Sequence, residues 1–523
     1  VRQALLQKPR GAPRSRSVSL PPPIGGLNAR DSVANMEPED ALVLDNWFPR
    51  TTDVAVRNGY TAHCTFTGNC ETVVVYTGHA ATKIFVAVNT TNDLIINATT
   101  AGAISTAVVG SSGPTVQAIT NSRWDYVNYG TAGGMFLSMV NGADTALEYD
   151  GTTWSTATLT HADLAGTDDL FTNAVYAERI WYGEKDTFNV YYLPVRTKSG
   201  AMTKLNVGSF FKLGGSLNSI VTVTDAADTL TDYIAFVSTE GEVIAYAGTD
   251  PATPADWVRA AHFRIGRPVC KGQRAWCKFG ADALITCADG IVSLRRAIAS
   301  DRAENASSIS DKIRDLINAD VAVHGARFGW QIEVHPTGSK LILNVPTLEG
   351  ANSRQYVMNT QTRSWCRFTG WNAFAFGVAK DTLYMGGAGT LVIADTGGED
   401  GGDSISTDCR QAYNYFGARG QTKLVNLMRP ILSITGAAEV AVGVDTDYGA
   451  TATLSYQQIS GVSGDPWGGV WSAAWAQASA VYRSWFGVAG EGFALAPRLR
   501  TITDGVDVTW SATDVVYEWG GRL

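Results

Sequence analysis

The chain has 523 residues, of which 17% are charged and 54 are glycine, with 15 tryptophans and 19 tyrosines. That length allows several domains and a large core, and the composition argues against a helix-rich protein and for strands joined by tight turns. The net charge of −8 is uneven, since residues 1–30 hold six basic side chains and no acid, leaving −14 on the rest; an acidic body does not suit a protein that grips nucleic acid by neutralising phosphates.

No apolar run approaches the ~18–20 residues a membrane helix needs, and the basic N-terminal stretch lacks the apolar core of a secretory signal. The seven cysteines include no CxxC pair. An odd count at this length argues against a disulfide framework and fits a reducing compartment.

Residues 1–24 read as an extended basic arm. Pro9, Pro13 and Pro21-Pro-Pro23 block helix and central strand, which fits either an arm that orders against a neighbouring subunit, with Arg10, Arg14 and Arg16 as its contacts, or a disordered leader. Residues 25–60 read as a docking segment. Asn35 is placed to cap a short helix through Asp45 and Asn46 that Pro49 stops, with Arg30, Asp31, Trp47 and Phe48 as its docking side chains.

Residues 61–396 carry a recurring pattern of two apolar strands and a tight turn. Candidate hairpins span Lys83–Ile96, Met135–Tyr149, Arg179–Tyr192, Tyr233–Tyr246, Ala283–Leu294, Lys340–Met358 and Phe374–Ile393. Glu240-Gly241 and Asp289-Gly290 supply turn chemistry. Aromatic strands follow three of them, at Trp154, Trp257 and Trp365. A spacing of roughly 40–60 residues is that of propeller blades, so the expected fold is mostly β, a six-bladed β-propeller. Ser310–Asn318 interrupts it as a short connector helix, with Ser310 as cap. Residues 397–408, Gly/Asp-rich, read as a linker loop. Residues 409–523 read as a β-rich, sandwich-like platform module, to which the N-terminal segments add. Long strands are expected over Val425–Thr435, Ala438–Val444 and Pro497–Tyr517. Trp467, Trp471, Trp475, Trp485, Trp510 and Trp519 fall in the last 57 residues, a density that fits a core or an interface; Trp467 and Trp471 are taken as docking candidates.

Several motifs together resemble a family of phage virion proteins. They are Gly25-Gly-Leu-Asn-Ala-Arg-Asp31, Ala41-Leu-Val-Leu-Asp-Asn-Trp-Phe-Pro49, Arg57-Asn-Gly-Tyr60, Glu184-Lys-Asp186 with Tyr191-Tyr-Leu-Pro194, Ser238-Thr-Glu-Gly-Glu-Val243 with Tyr246–Asp250, and Arg264-Ile-Gly-Arg-Pro268. The chain resembles the tail nozzle, or tail tubular protein B-like, component of short-tailed bacteriophages over most of residues 25–430. The resemblance implies a hexamer built around a propeller, a platform docked on the adaptor ring below the portal, and tail fibre or needle proteins as further partners. It implies a virion location after assembly in the bacterial cytoplasm. Double-stranded DNA would pass through the ring without sequence-specific binding.

Enzymatic chemistry finds little support in the residues. Tyr149-Asp-Gly-Thr-Thr-Trp154 partly resembles the Asp-box of sialidase propellers, which is a turn element and not a catalytic one. His63, Cys64 and Cys70 lack a fourth metal ligand, Gly397–Asp403 lacks the EF-hand spacing, and no GxSxG elbow occurs. The expectation is a structural protein with no catalytic residue, metal or cofactor. The alternative is a receptor-binding or glycan-cleaving propeller, marked by Asp, Glu and Arg clustered at one propeller mouth.

Overall fold

The computed structural model describes residues 15–110, 117–225, 231–300, 308–450, 452–460 and 480–522. The chain is mostly β and divides into two units.

The larger unit, residues 58–363 and 368–401, is a propeller-like arrangement of small antiparallel sheets. Sheet one is formed by the later part of the strand Tyr60–Thr77 with Thr82–Asn89, Leu94–Asn97 and Ala107–Val109. Sheet two runs Asp125–Thr131, Gly134–Val140, Leu147–Tyr149, Trp154–Thr156, and sheet three Leu170–Tyr176, Arg179–Glu184, Asn189–Tyr192, Thr203–Asn206. Sheet four runs Leu217–Asp225, Thr231–Ser238, Glu242–Ala247, Val258–Arg264, and sheet five Trp276–Phe279, Asp282–Cys287, Gly290–Ser293. Sheet six pairs Gln331–His335, Lys340–Leu348 and Asn352–Asn359. Sheet seven pairs Ala375–Ala379, Thr382–Gly386 and Ala388–Ala394, and the early part of Tyr60–Thr77 adds its fourth strand through pairs such as Ile393 with Thr61. Each of the seven hairpins expected from sequence lies in its own sheet. Among its described residues the larger unit thus has seven sheets of three or four strands, besides the short parallel pairing of Leu159–Thr160 with Gly200–Ala201, where a six-bladed ring was expected.

Alternation along each strand feeds two different cores, because each sheet is covered on both faces. On Thr82–Asn89, Ile84, Val86 and Val88 pack with Ala375 and Ala379 of sheet seven. Phe85 and Ala87, of opposite parity, pack with Leu137 and Met139 of sheet two. The same division puts Tyr182 and Tyr191 against sheet two and Trp181, Val190 and Tyr192 against sheet four. Sheet four in turn meets Ala283 and Ile285 of sheet five. Gly377 permits the contact of sheets seven and one, since a Cβ there would sit 2.7 Å from Val73 Cγ1. The aromatic strand after the fourth hairpin completes a stack, with Trp257 5.5 Å from Trp181 and 5.1 Å from Tyr246, both near parallel. Asp150 accepts the backbone N–H groups of Thr152 and Thr153, each at 2.7 Å, which makes the Asp-box-like segment a turn.

The smaller unit comprises residues 1–57, 364–367 and 402–523. One sheet joins Trp47–Pro49, Val54–Val56, Val508–Arg522 and Gln421–Ile434, with Ala480–Tyr482 and Phe486–Gly492 on the last of these. A mixed sheet runs Asp40–Asp45, Asp403–Gln411, Leu495–Thr503, Ala437–Thr446, Ser455–Ser460, with Gly26–Leu27 parallel to its first strand. Ala437–Thr446 packs on Gln421–Ile434 and Phe486–Gly492, which brings the two sheets together.

Three expectations are corrected. Residues 35–49 form no helix: Asp40–Asp45 is a strand paired with Asp403–Gln411, and Trp47–Pro49 is a second strand. The distant partner strand overrides the local capping signal around Asn35. Arg16–Leu20, expected within the extended basic arm, is a strand on Val508–Arg522 of its own chain. The connector helix exists as a 3-10 turn Asp311–Ile313 and a helix Arg314–His324, but the Ser310 hydroxyl accepts Ile291 N–H at 2.8 Å and does not cap it.

Candidate functional site

Two groups of residues bear on function: the expected docking side chains in the smaller unit and the axis of the propeller-like unit.

Trp47 is fully buried, 5.7 Å from Trp510, and Phe48 is buried beside it. Both are core residues of their own unit, which corrects their assignment as partner contacts. Arg16 lies 5.3 Å from the Trp519 ring, and Arg30 pairs with Asp31 at the surface at 2.8 Å. Trp485 is partly exposed under the Arg429 guanidinium. Arg10, Arg14, Trp467 and Trp471 lie outside the described residues.

Among the first strands of the larger unit's sheets sits a short plug that sequence reasoning did not single out. Gly272–Ala275 is a 3-10 turn just before sheet five, and it packs on the first strands of sheets two to six. Gln273 donates its backbone N–H to Asp125 Oδ2 at 2.8 Å, and its side-chain Oε1 accepts Tyr126 N–H at 3.3 Å. Its Nε2 reaches Asn173 O at 3.0 Å. Arg274 Nη1 donates to Phe374 O at 3.1 Å, and its Nη2 to Glu71 O. Asn218 Nδ2 donates to Cys270 O at 3.1 Å. One short segment thus ties sheet four and the strands or approaches of sheets one, two, three and seven. Gly272 is required there: its φ is +71°, and a Cβ would stand 2.3 Å from Asp125 Oδ2.

On one side of this plug is a cavity of about 810 Å³, lined by the first strands of all seven sheets through residues such as Val73, Tyr126, Val175, Thr222, Glu333 and Phe376. On the other is a mouth of about 530 Å³, lined by loops that carry Arg123, Lys185, Lys271, Arg327 and Glu349. Trp124, Asp125 and Arg274 line both. Burial pushes the Asp125 carboxyl up to about 6 against the pull of its hydrogen bonds and of Arg274. Burial likewise raises Glu333, in the cavity wall, to about 7. The Arg274 pKa is lowered by burial. Phe328 lies between two guanidiniums, with Arg123 3.9 Å and Arg274 4.3 Å from its ring centroid. Arg123 is further held by Glu71 and Glu349, each at 3.1 Å.

The cysteines are buried or half-buried, and burial raises the thiol pKa of Cys64, Cys70, Cys270, Cys277, Cys287 and Cys409, at Cys270 to about 12, so none of these six is poised as a thiolate. His63 Nε2 is engaged with Ala98 O at 2.9 Å. Among the described residues no three His, Cys, Asp or Glu side chains converge as a metal site, and no helix is long and apolar enough to cross a membrane.

No protein-family model matches the chain, and no curated protein matches it. Solved structures do. The BBS1N structure in complex with ARL6DN aligns at a TM-score of 0.37 and 9% identity, over 65% of this chain and 98% of that one. A glycoside hydrolase family 43 arabinoxylan arabinofuranohydrolase from Bacillus subtilis aligns at 0.29 and 11%, over 88% and 96%. YCF48 bound to D1 peptide aligns at 0.35 and 11%, over 68% and 98%.

Proposed function

We propose that the chain is a structural virion protein, the tail nozzle of a short-tailed phage. The seven sheets are the blades of a closed propeller, and the strand Tyr60–Thr77, shared by sheets one and seven, closes it. The smaller unit is the platform that meets the adaptor ring. Several copies, six by the resemblance, form a ring whose channel retains the genome and then conducts it. An acidic or neutral channel wall lets DNA slide, whereas a basic wall would hold it through counterion release.

The observation that carries this reading is the use made of the nozzle-like motifs. Asn28 Nδ2 donates to Asp31 at 2.8 Å and to the buried Asp40 at 2.7 Å. Asn46, at φ +59°, donates to Ser406 O and accepts the Arg57 Nε–H, both at 2.8 Å. Glu242 accepts the backbone N–H groups of Lys212 and Leu213 at 2.9 and 2.8 Å. These motif residues hold segments together, as scaffold residues do. The test is truncation. Because residues 16–20 form a strand, removal of residues 1–14 leaves the sheet intact. It is expected to impair attachment to the adaptor ring with no change in unfolding midpoint. Unchanged attachment would remove the arm from the docking account.

A receptor-binding or glycan-cleaving propeller is the second reading. The observation in its favour is the grouping of Arg123, Arg274, Asp125 and Glu349 around one axial mouth.

A further inference from the structure

The mouth above the plug has a charge opposite to that of the protein. Five cationic side chains line it against three acidic ones, Asp125, Asp186 and Glu349, in a chain of net −8. Most of the cations are already engaged: Arg123 by Glu71 and Glu349, Lys185 by Asp169 at 3.0 Å, and Lys271, loosely, by Asp186 at 3.5 Å. Arg274 differs. Its two hydrogen bonds go to the neutral carbonyls of Phe374 and Glu71. A guanidinium has five N–H donors, and these two bonds leave the others for water or a ligand in the cavity. Arg274 is half-buried and lines both cavities, the carboxylates of Asp125 and Glu71 act on it from nearby, and a guanidinium whose own hydrogen bonds go to carbonyls is favoured by an anion placed in the cavity beside it. Its position is fixed, because the plug is bonded to several sheets and Phe328 packs on its face. That rigidity removes the ordering cost a surface arginine would bring to binding.

We propose that this mouth binds a small ligand bearing a carboxylate or phosphate group, with Arg274 as its principal partner at the floor and Lys271 at the rim. The inference stands whether or not the chain forms a ring. Beside Arg274, Cys270 is the titratable group interacting with Asp125. Asp125 sits in the floor and shares this field, so a bound anion and an ionised Asp125 repel. Protonating Asp125 therefore tightens binding, and a bound anion raises the Asp125 pKa further.

The experiment is calorimetric titration of the full chain with inorganic phosphate, glucuronate and N-acetylneuraminate, followed in parallel by the fluorescence of Trp124 and Trp330, which line the mouth. At least one probe is expected to bind at millimolar concentration or below, and which one binds separates a phosphate from a sugar-acid source. Arg274→Gln is expected to weaken it by about tenfold or more. Because Arg274 also joins two sheets, Lys271→Glu, at an exposed rim position, serves as the variant that leaves the plug intact, and a several-fold loss is expected. For glucuronate, whose carboxylate stays ionised, affinity should fall from about pH 5 to about pH 8, and Asp125→Asn should abolish that slope. Binding of none of the three probes would overturn the proposal. So would equal binding by wild type, Arg274→Gln and Lys271→Glu, which marks an adventitious ion only.

Discussion

Arg498 reaches Asp408 diagonally across neighbouring strands of the mixed sheet, two residues from Arg500, which stands directly opposite that aspartate, and its guanidinium Nε and Nη2 lie on the two carboxylate oxygens at 3.1 and 2.8 Å. Arg500 adds a third bond to the same carboxylate at 2.7 Å. Burial alone would raise the Asp408 pKa, but the two guanidiniums outweigh it and hold the carboxyl below its usual range. A depressed carboxylate contributes stability above the unfolded-state pKa of about 4 and loses it as pH falls through the folded value. Asp408→Asn should therefore destabilise the chain at neutral pH by about 1–2 kcal/mol. The gap to wild type should shrink in urea titrations below about pH 4. A gap that is the same at pH 7 and at pH 3 would deny the carboxylate this role.

The plug makes a second prediction through two glycines. Gly272 and Gly280 both have positive φ, +71° and +62°, but a Cβ at Gly272 would strike Asp125 whereas nothing lies within 4 Å of one at Gly280. Gly280→Ala should cost about 1 kcal/mol of backbone strain. Gly272→Ala should cost about 1–3 kcal/mol more, since the plug or Asp125 must shift. Equal urea midpoints for the two variants would mean that the plug is not rigidly seated.

Glu333 makes a third. Burial raises its pKa to about 7, so the protonated form is the one the fold favours. For a raised carboxyl the cost of ionisation appears as pH climbs from the unfolded value, about 4.3, through the folded one. Stability should thus fall across that window, and Glu333→Gln should flatten the fall. A wild-type profile and a Glu333→Gln profile of the same slope would place the carboxyl in water.

The cores between sheets make a fourth. Phe236 is fully buried between sheets three and four. Phe236→Ala should cost about 3–5 kcal/mol. The exposed Val258 on the same sheet should tolerate alanine within about 0.5 kcal/mol. Near-equal midpoints for the two would show that the core between these sheets collapses around the void.

The fold was legible where local chemistry and tertiary structure agree. Asp289-Gly290 and Glu240-Gly241 announce their turns, and both glycines take positive φ, +125° and +82°. The strands around them read as near-continuous apolar runs because both faces are covered. Legibility failed where a partner strand lies far away. Asp40–Asp45 carries a capping residue and a proline before it and reads as helix, yet its partner begins at Asp403. The plug was invisible for the same reason: Gln273 is 148 residues from Asp125, and Arg274 is 203 from Glu71. Gly272, four residues beyond the motif Arg264-Ile-Gly-Arg-Pro268, was its only local sign. Of the described tryptophans near the C-terminus, Trp510 lies in the core and Trp485 is partly exposed, a difference of environment that spacing does not show.

The most direct test of the nozzle account is the mass of the full chain in solution, measured alone and after mixing with the adaptor ring of a short-tailed phage. The account predicts a species that closes into a ring of several copies on that template. A monomer or trimer that ignores the adaptor, and is retained instead on immobilised polysaccharide, would contradict it.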